Sequence, residues 1–97
     1  MRRSRTMEAE RNFRKARVAY HMRKIRLRRG LSQGQVAAYL TETSPTSAIV
    51  LREHVAHWEA ADKECSFGTL ERLATLFECQ PEDFYAAIPN GEEDKAA

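Results

Sequence analysis

Apolar residues recur at helical spacing in five stretches of this 97-residue chain, and no stretch alternates with the period of a strand. Asn12 suits the N-cap of a first helix reaching about Arg29, where Gly30 offers a left-handed stop. On it Val18, Met22 and Ile25 form one stripe, and Phe13, Ala16, Tyr20 and Leu27 form a second. The turn from Ile25 to Leu27 is about 200°, so the two stripes lie on nearly opposite faces. One enters the core, and the other is left for a second subunit or for the C-terminal end of the same chain. Ser32 and Gln35 then have the spacing of a capping box, ahead of Val36, Ala37 and Leu40 on one face of a second helix. A third runs from Leu51 to Glu59, with Val55 and Trp58 inward and Arg52, Glu53, Ala56 and His57 outward. Ser66 caps a fourth, Phe67 to Phe77, whose Phe67, Leu70, Leu73, Ala74 and Phe77 keep helical spacing. Pro81 suits the first position of a fifth, with Glu82 and Asp83 favourable at its positive end. Its Phe84, Tyr85 and Ile88 are expected to leave a further apolar patch beyond the core.

The punctuation divides the chain. Residues 1–11 are basic and lack an apolar period, which predicts a mobile arm. Residues 12–88 make one domain, and the acidic stretch 89–97 reads as a disordered tail. Between the second and third helices, residues 41–50 hold Thr, Ser and Pro in loop proportions, and Pro45 disfavours helix at Ser44. The alternative is that Ser44 caps and Pro45 opens a long third helix.

Composition narrows the class. With 42% hydrophobic and 31% charged residues the chain has the profile of a soluble globule. No apolar run approaches the ~20 residues needed to cross a bilayer. No apolar segment follows the basic first residues, so no signal peptide is expected, and Cys65 and Cys79 read as free thiols of a reducing cytoplasm. The net charge of +2 conceals an asymmetry. Residues 1–30 hold twelve Lys or Arg against two Glu, and the remainder holds four against twelve acids. A basic block of this kind favours a polyanionic partner. Two short helices joined by a connector, the second turning polar groups outward, form the pattern of a helix-turn-helix.

Three segments sharpen that pattern: Ile25 to Gln33 (IRLRRGLSQ), Val55 to Glu59 (VAHWE) and Leu70 to Phe77 (LERLATLF), with eleven residues from Glu59 to Leu70. Together they resemble the Cro and lambda-repressor type of helix-turn-helix domain, the Xre family, over roughly Tyr20 to Tyr85. The resemblance implies an all-α, compact five-helix domain that binds DNA. This chain departs from it twice. The connector exceeds a three- or four-residue turn by about eight residues, and Ala61 stands where a glycine ordinarily ends the recognition helix. Ala adopts the left-handed conformation poorly, so that helix is expected to run on or to end differently.

The resemblance also implies roles. Arg26 and Glu59 match a pair tying the first helix to the end of the recognition helix, and Gln33 matches a phosphate-contacting residue at the second helix's N-terminus. Cys79 matches a core position, as a buried thiol. Outward on the third helix, Arg52, Glu53, His54 and His57 are candidates for base contacts, Arg toward guanine and Glu toward a cytosine amine. Arg2, Arg3, Arg5, Arg11 and Arg14 are candidates for phosphates or a minor groove. His54, His57, Cys65 and Cys79 lack the spacing of a zinc site, so neither metal nor cofactor is expected, and a domain of this size offers little pocket for catalysis. The function expected is a sequence-specific regulator, most simply a repressor, bound to double-stranded DNA as a homodimer on a palindromic operator. The alternative is a helix-turn-helix adaptor, antitoxin-like or co-regulator, that binds a protein partner.

Overall fold

The computed structural model describes residues 2–89, with side chains from Met7 onward. The side chains of Arg2, Arg3 and Arg5, and the acidic tail 90–97, lie outside the described residues. The architecture is all-helical and compact: α1 (Arg2–Arg28), α2 (Gln33–Glu42), α3 (Arg52–Glu59), α4 (Phe67–Phe77) and a closing 3-10 turn (Pro81–Tyr85). Among the described residues there is no strand.

Helix α1 does not wait for Asn12 but is helical from Arg2. Its first third is rich in Arg, Glu, Met and Ala, all good helix formers, and holds neither Gly nor Pro. The absence of an apolar stripe there reflects absence of burial, since every side chain from Met7 to Arg14 is exposed. The buried part begins at Ala16, Val18 and Ala19 and continues through Met22 to Arg26. Of the second stripe, Ala16 is buried and Tyr20 half-buried, whereas Phe13 and Leu27 remain exposed.

Met22, Val36, Leu40, Val55, Leu70, Leu73, Phe77 and Phe84 are wholly buried and form the centre of the core. Phe67, expected among them, is exposed at the first position of α4. Helix α2 starts as the sequence requires: Gln35 N–H donates to Ser32 Oγ at 3.0 Å and Ser32 N–H to Gln35 Oε1 at 2.8 Å. It runs two residues past Leu40, and the connector that follows is a loop, without a helix at Ser44–Pro45. Ser44 Oγ takes the Ala48 N–H at 2.9 Å, closing the loop locally. Arg72 of α4 reaches across to the Leu40 carbonyl and, at 2.9 Å, to Thr43 Oγ1, so the end of α2 is held from below.

Three helices stop in the same way. Gly30, Ala61 and Glu78 all have positive φ, and in each case the next residue's N–H returns to a carbonyl five residues back. Ala61, at φ 60°, therefore takes the left-handed conformation itself, and α3 ends at Glu59 without an extra turn.

The fifth element is a five-residue 3-10 turn rather than an α-helix. Its last carbonyl and that of the following Ala86 are used from α1: Arg17 Nη1 donates to Tyr85 O at 3.3 Å, and His21 Nε2 lies 2.9 Å from Ala86 O. These bonds turn the chain away from a continued helix. Phe84 and Ile88 are buried and Tyr85 half-buried, so the patch expected beyond the core is part of it.

Candidate nucleic-acid interface

Four of the residues singled out by sequence meet in one hydrogen-bonded chain. Arg26 lies near the end of α1, pointing where Leu31 leaves the helix, and Glu59 closes α3. Arg26 Nε donates to Glu59 Oε2 at 2.6 Å and Nη2 to Oε1 at 2.9 Å, a two-point guanidinium–carboxylate pair. The third nitrogen, Nη1, donates to Leu31 O at 2.9 Å. Both side chains are sheltered, 10% and 4% exposed. Donating to the Glu59 carboxylate raises the Arg26 pKa against the burial that would lower it, so the guanidinium is charged.

Gln33 extends this chain from the first turn of α2. Its Nε2 donates to Glu59 Oε1 at 3.1 Å, and its Oε1 accepts from Arg52 Nη1 at 3.4 Å. Glu59 and Arg52 are the two ends of α3, so one amide on α2 bridges the whole of that helix. With Val55 buried between them, α3 is fixed in rotation as well as position, and Arg52, Glu53, His54 and His57 face solvent.

These outward residues differ in what they touch. Arg52 and Glu53 are weakly paired, 3.9 Å apart. His54 serves the helix start: its ring Nδ1 accepts the Leu51 N–H at 2.9 Å while its backbone N–H donates to Leu51 O at 3.0 Å, and its ring stacks on Trp58 at 6.5 Å. His57 Nδ1 lies 3.4 Å from Asp62 Oδ2 just beyond the helix end.

The basic residues of α1 are not gathered at this site. Arg11 and Arg14 are exposed, but Arg11 precedes Arg26 by about 22 Å of helix at 1.5 Å per residue. Nearer to α2 stand Arg23, Lys24, Arg28 and Arg29, all exposed and none singled out from sequence. Their position just before the Gly30 stop and the Ser32 cap was the available signal. Lys24 lies over the Tyr20 ring at 5.6 Å, and Arg29 pairs with Glu78 at 2.7 Å.

Comparisons with family models, with curated proteins and with solved structures find no match.

Among the described residues no three His, Cys, Asp or Glu side chains converge as metal ligands, and no helix is long and apolar enough to cross a membrane. Cys65 is the buried thiol, and burial pushes it up to about 12. Cys79, expected to be buried, is only half so; it lines an open groove of about 480 Å³ with His21, Arg28, Arg29 and Asp83. Burial, then Asp83, pushes its thiol up against the opposing pull of Arg29, which keeps it protonated and poorly nucleophilic.

Proposed function

We propose that the chain is a sequence-specific DNA-binding regulator, with α2 and α3 as the two helices of a helix-turn-helix of the Cro and lambda-repressor type. The observation that carries this reading is the Arg26–Glu59–Gln33–Arg52 chain, which holds an eight-residue helix by both ends while its polar side is presented to solvent. A buried ion pair contributes orientation more than net stability, and orientation is what a helix entering a major groove requires. The exposed cations of α1 supply the attraction for phosphates that α3, with Arg52 as its single Lys or Arg, lacks. Repression follows most simply, by occupancy of an operator.

A homodimer accompanies this reading. Phe13, Tyr20 and Leu27 repeat at seven-residue intervals along α1, the spacing of a helix-pairing seam, and Phe13 and Leu27 are exposed. A charge in place of Tyr20 is expected to yield monomers in sedimentation, and two-fold pairing matches a palindromic site.

One observation favours the adaptor reading instead: Glu53 stands beside Arg52 and reduces the charge α3 offers to DNA. Selection of bound duplexes from a randomised pool, at low and at moderate salt, separates the two. Enrichment of a defined site supports the regulator, and failure to retain any duplex at low salt supports the adaptor.

A further inference from the structure

The long connector has a use that the helix-turn-helix reading leaves open. Its last residues, 48–51, are free of helix, Leu51 is extended at φ −96° and ψ 159°, and Val50 is pinned in the middle: Thr41 Oγ1 accepts the Val50 N–H at 2.9 Å and lies 3.0 Å from Val50 O. The Val50 side chain packs on the core. Its two neighbours are instead exposed, Ile49 at 71% and Leu51 at 51%. Leu51 is held again from α3 by His54 Nδ1. Two large apolar side chains are thus displayed on a braced strip directly ahead of Arg52.

Their neighbours argue for the kind of partner. Arg52 follows at once and is well exposed. A surface mixing a guanidinium with apolar side chains at the start of a helix suits the major groove. There guanine offers O6 and N7, and thymine a 5-methyl group.

We propose that Ile49 and Leu51 read thymine 5-methyl groups beside a guanine taken by Arg52, making the connector a specificity-determining part of the interface. This rests on the DNA-binding reading above. The methyl groups would be covered by side chains on a segment whose backbone is already held at Val50 and Leu51.

The test uses the full chain and a duplex enriched from a randomised pool, resynthesised with deoxyuridine for thymidine at one position at a time. Removing a methyl group that Ile49 or Leu51 covers is expected to weaken binding about fourfold, the equivalent of one buried methylene. With Ile49→Ser and Leu51→Ser the same replacement is expected to change nothing. Unchanged affinity at every deoxyuridine position, on a duplex that Arg52→Ala binds more weakly, would overturn the assignment while leaving DNA binding intact. Conversion of the protein to a monomer by Ile49→Ser and Leu51→Ser would also overturn it, because the strip would then be a subunit contact. If no duplex is enriched at all, the DNA-binding reading fails and the assignment with it.

Discussion

On the DNA-binding reading proposed above, helices α1 and α3 would divide between them two properties that a DNA-reading surface needs. Helix α1 is 27 residues long and carries eleven Lys and Arg, and its side chains from Met7 to Arg14 have no burial to hold them. Helix α3 has eight residues and a single Arg, but is tied at its first residue, its last residue and its N-cap. Charge without fixation gives attraction that does not depend on sequence, because phosphates are alike along a duplex. Fixation without charge gives discrimination, because base edges are told apart by placement. On the proposed reading, the contrast would assign affinity to one element and specificity to the other.

The largest effect is expected from breaking the tie of α3. Glu59→Ala leaves Arg26 charged in a sheltered site, which costs about 3–5 kcal/mol, read as the shift in a urea unfolding midpoint. Replacing both partners with apolar residues, Arg26→Met with Glu59→Leu, is expected to recover most of that loss without recovering discrimination between duplexes. A Glu59→Ala protein as stable as the parent would show that Glu59 is not what compensates the sheltered Arg26 charge.

A second effect probes where the anchored part of α1 begins. Cys65 lines a small cavity with Val18 and Tyr85, and Arg14 and Lys15 lie on its rim. The native thiol is held up to about 12 by burial, from an ordinary 9.0. In the unfolded chain it ionises above pH 9 while the native thiol keeps its proton, so stability is full below pH 9 and falls as pH rises toward 12. The slope approaches about 1.4 kcal/mol per pH unit from this group. Burial raises the Tyr85 pKa in the same direction, adding to the loss at the upper end. Cys65→Ala is expected to flatten the slope between pH 9 and 10.5 in chemical denaturation, and an unaltered slope would mean that Cys65 opens to water.

The smallest effect concerns the stop of α3. Ala61 sits at φ 60°, a conformation in which Gly30 ends α1 without strain. Ala61→Gly relieves the side-chain clash but adds freedom to the unfolded chain, for a net gain of about 0.5–1 kcal/mol. Gly30→Ala is expected to lose about as much. Thermal midpoints of the two variants should move in opposite directions; movement in the same direction would mean that the two stops are not equivalent.

Much of this arrangement is legible in the sequence. Val36, Ala37, Leu40, Leu70, Leu73, Ala74 and Phe77 announce their helices through spacing that survives folding unchanged. Arg26 and Glu59 were legible as a pair through the resemblance, thirty-three residues apart. The start of α1 was not, because an exposed helix needs no apolar period. The 3-10 turn was hidden because its last carbonyl and that of Ala86 are taken by Arg17 and His21, a tertiary matter. The role of His54 was hidden for a similar reason: it returns to a Leu N-cap, where the usual Ser or Thr signal is absent. The exposed pair Ile49 and Leu51 flanks Val50, which Thr41 pins through a contact nine residues long that periodicity cannot report.

The division of labour between α1 and α3 is tested most directly by the salt dependence of affinity, measured on one enriched duplex and one scrambled duplex of equal length. Three proteins are compared: the parent, Arg23→Gln with Arg28→Gln, and Arg52→Ala. Loss of the α1 charges is expected to reduce the slope of log affinity against log salt by about 0.9 per phosphate contact removed, equally on both duplexes. Arg52→Ala is expected to lower the ratio between the two duplexes by about 1–3 kcal/mol, with a slope change no greater than about one contact. An unchanged slope in the α1 variant, or an unchanged ratio in Arg52→Ala, would contradict the assignment of affinity to α1 and specificity to α3.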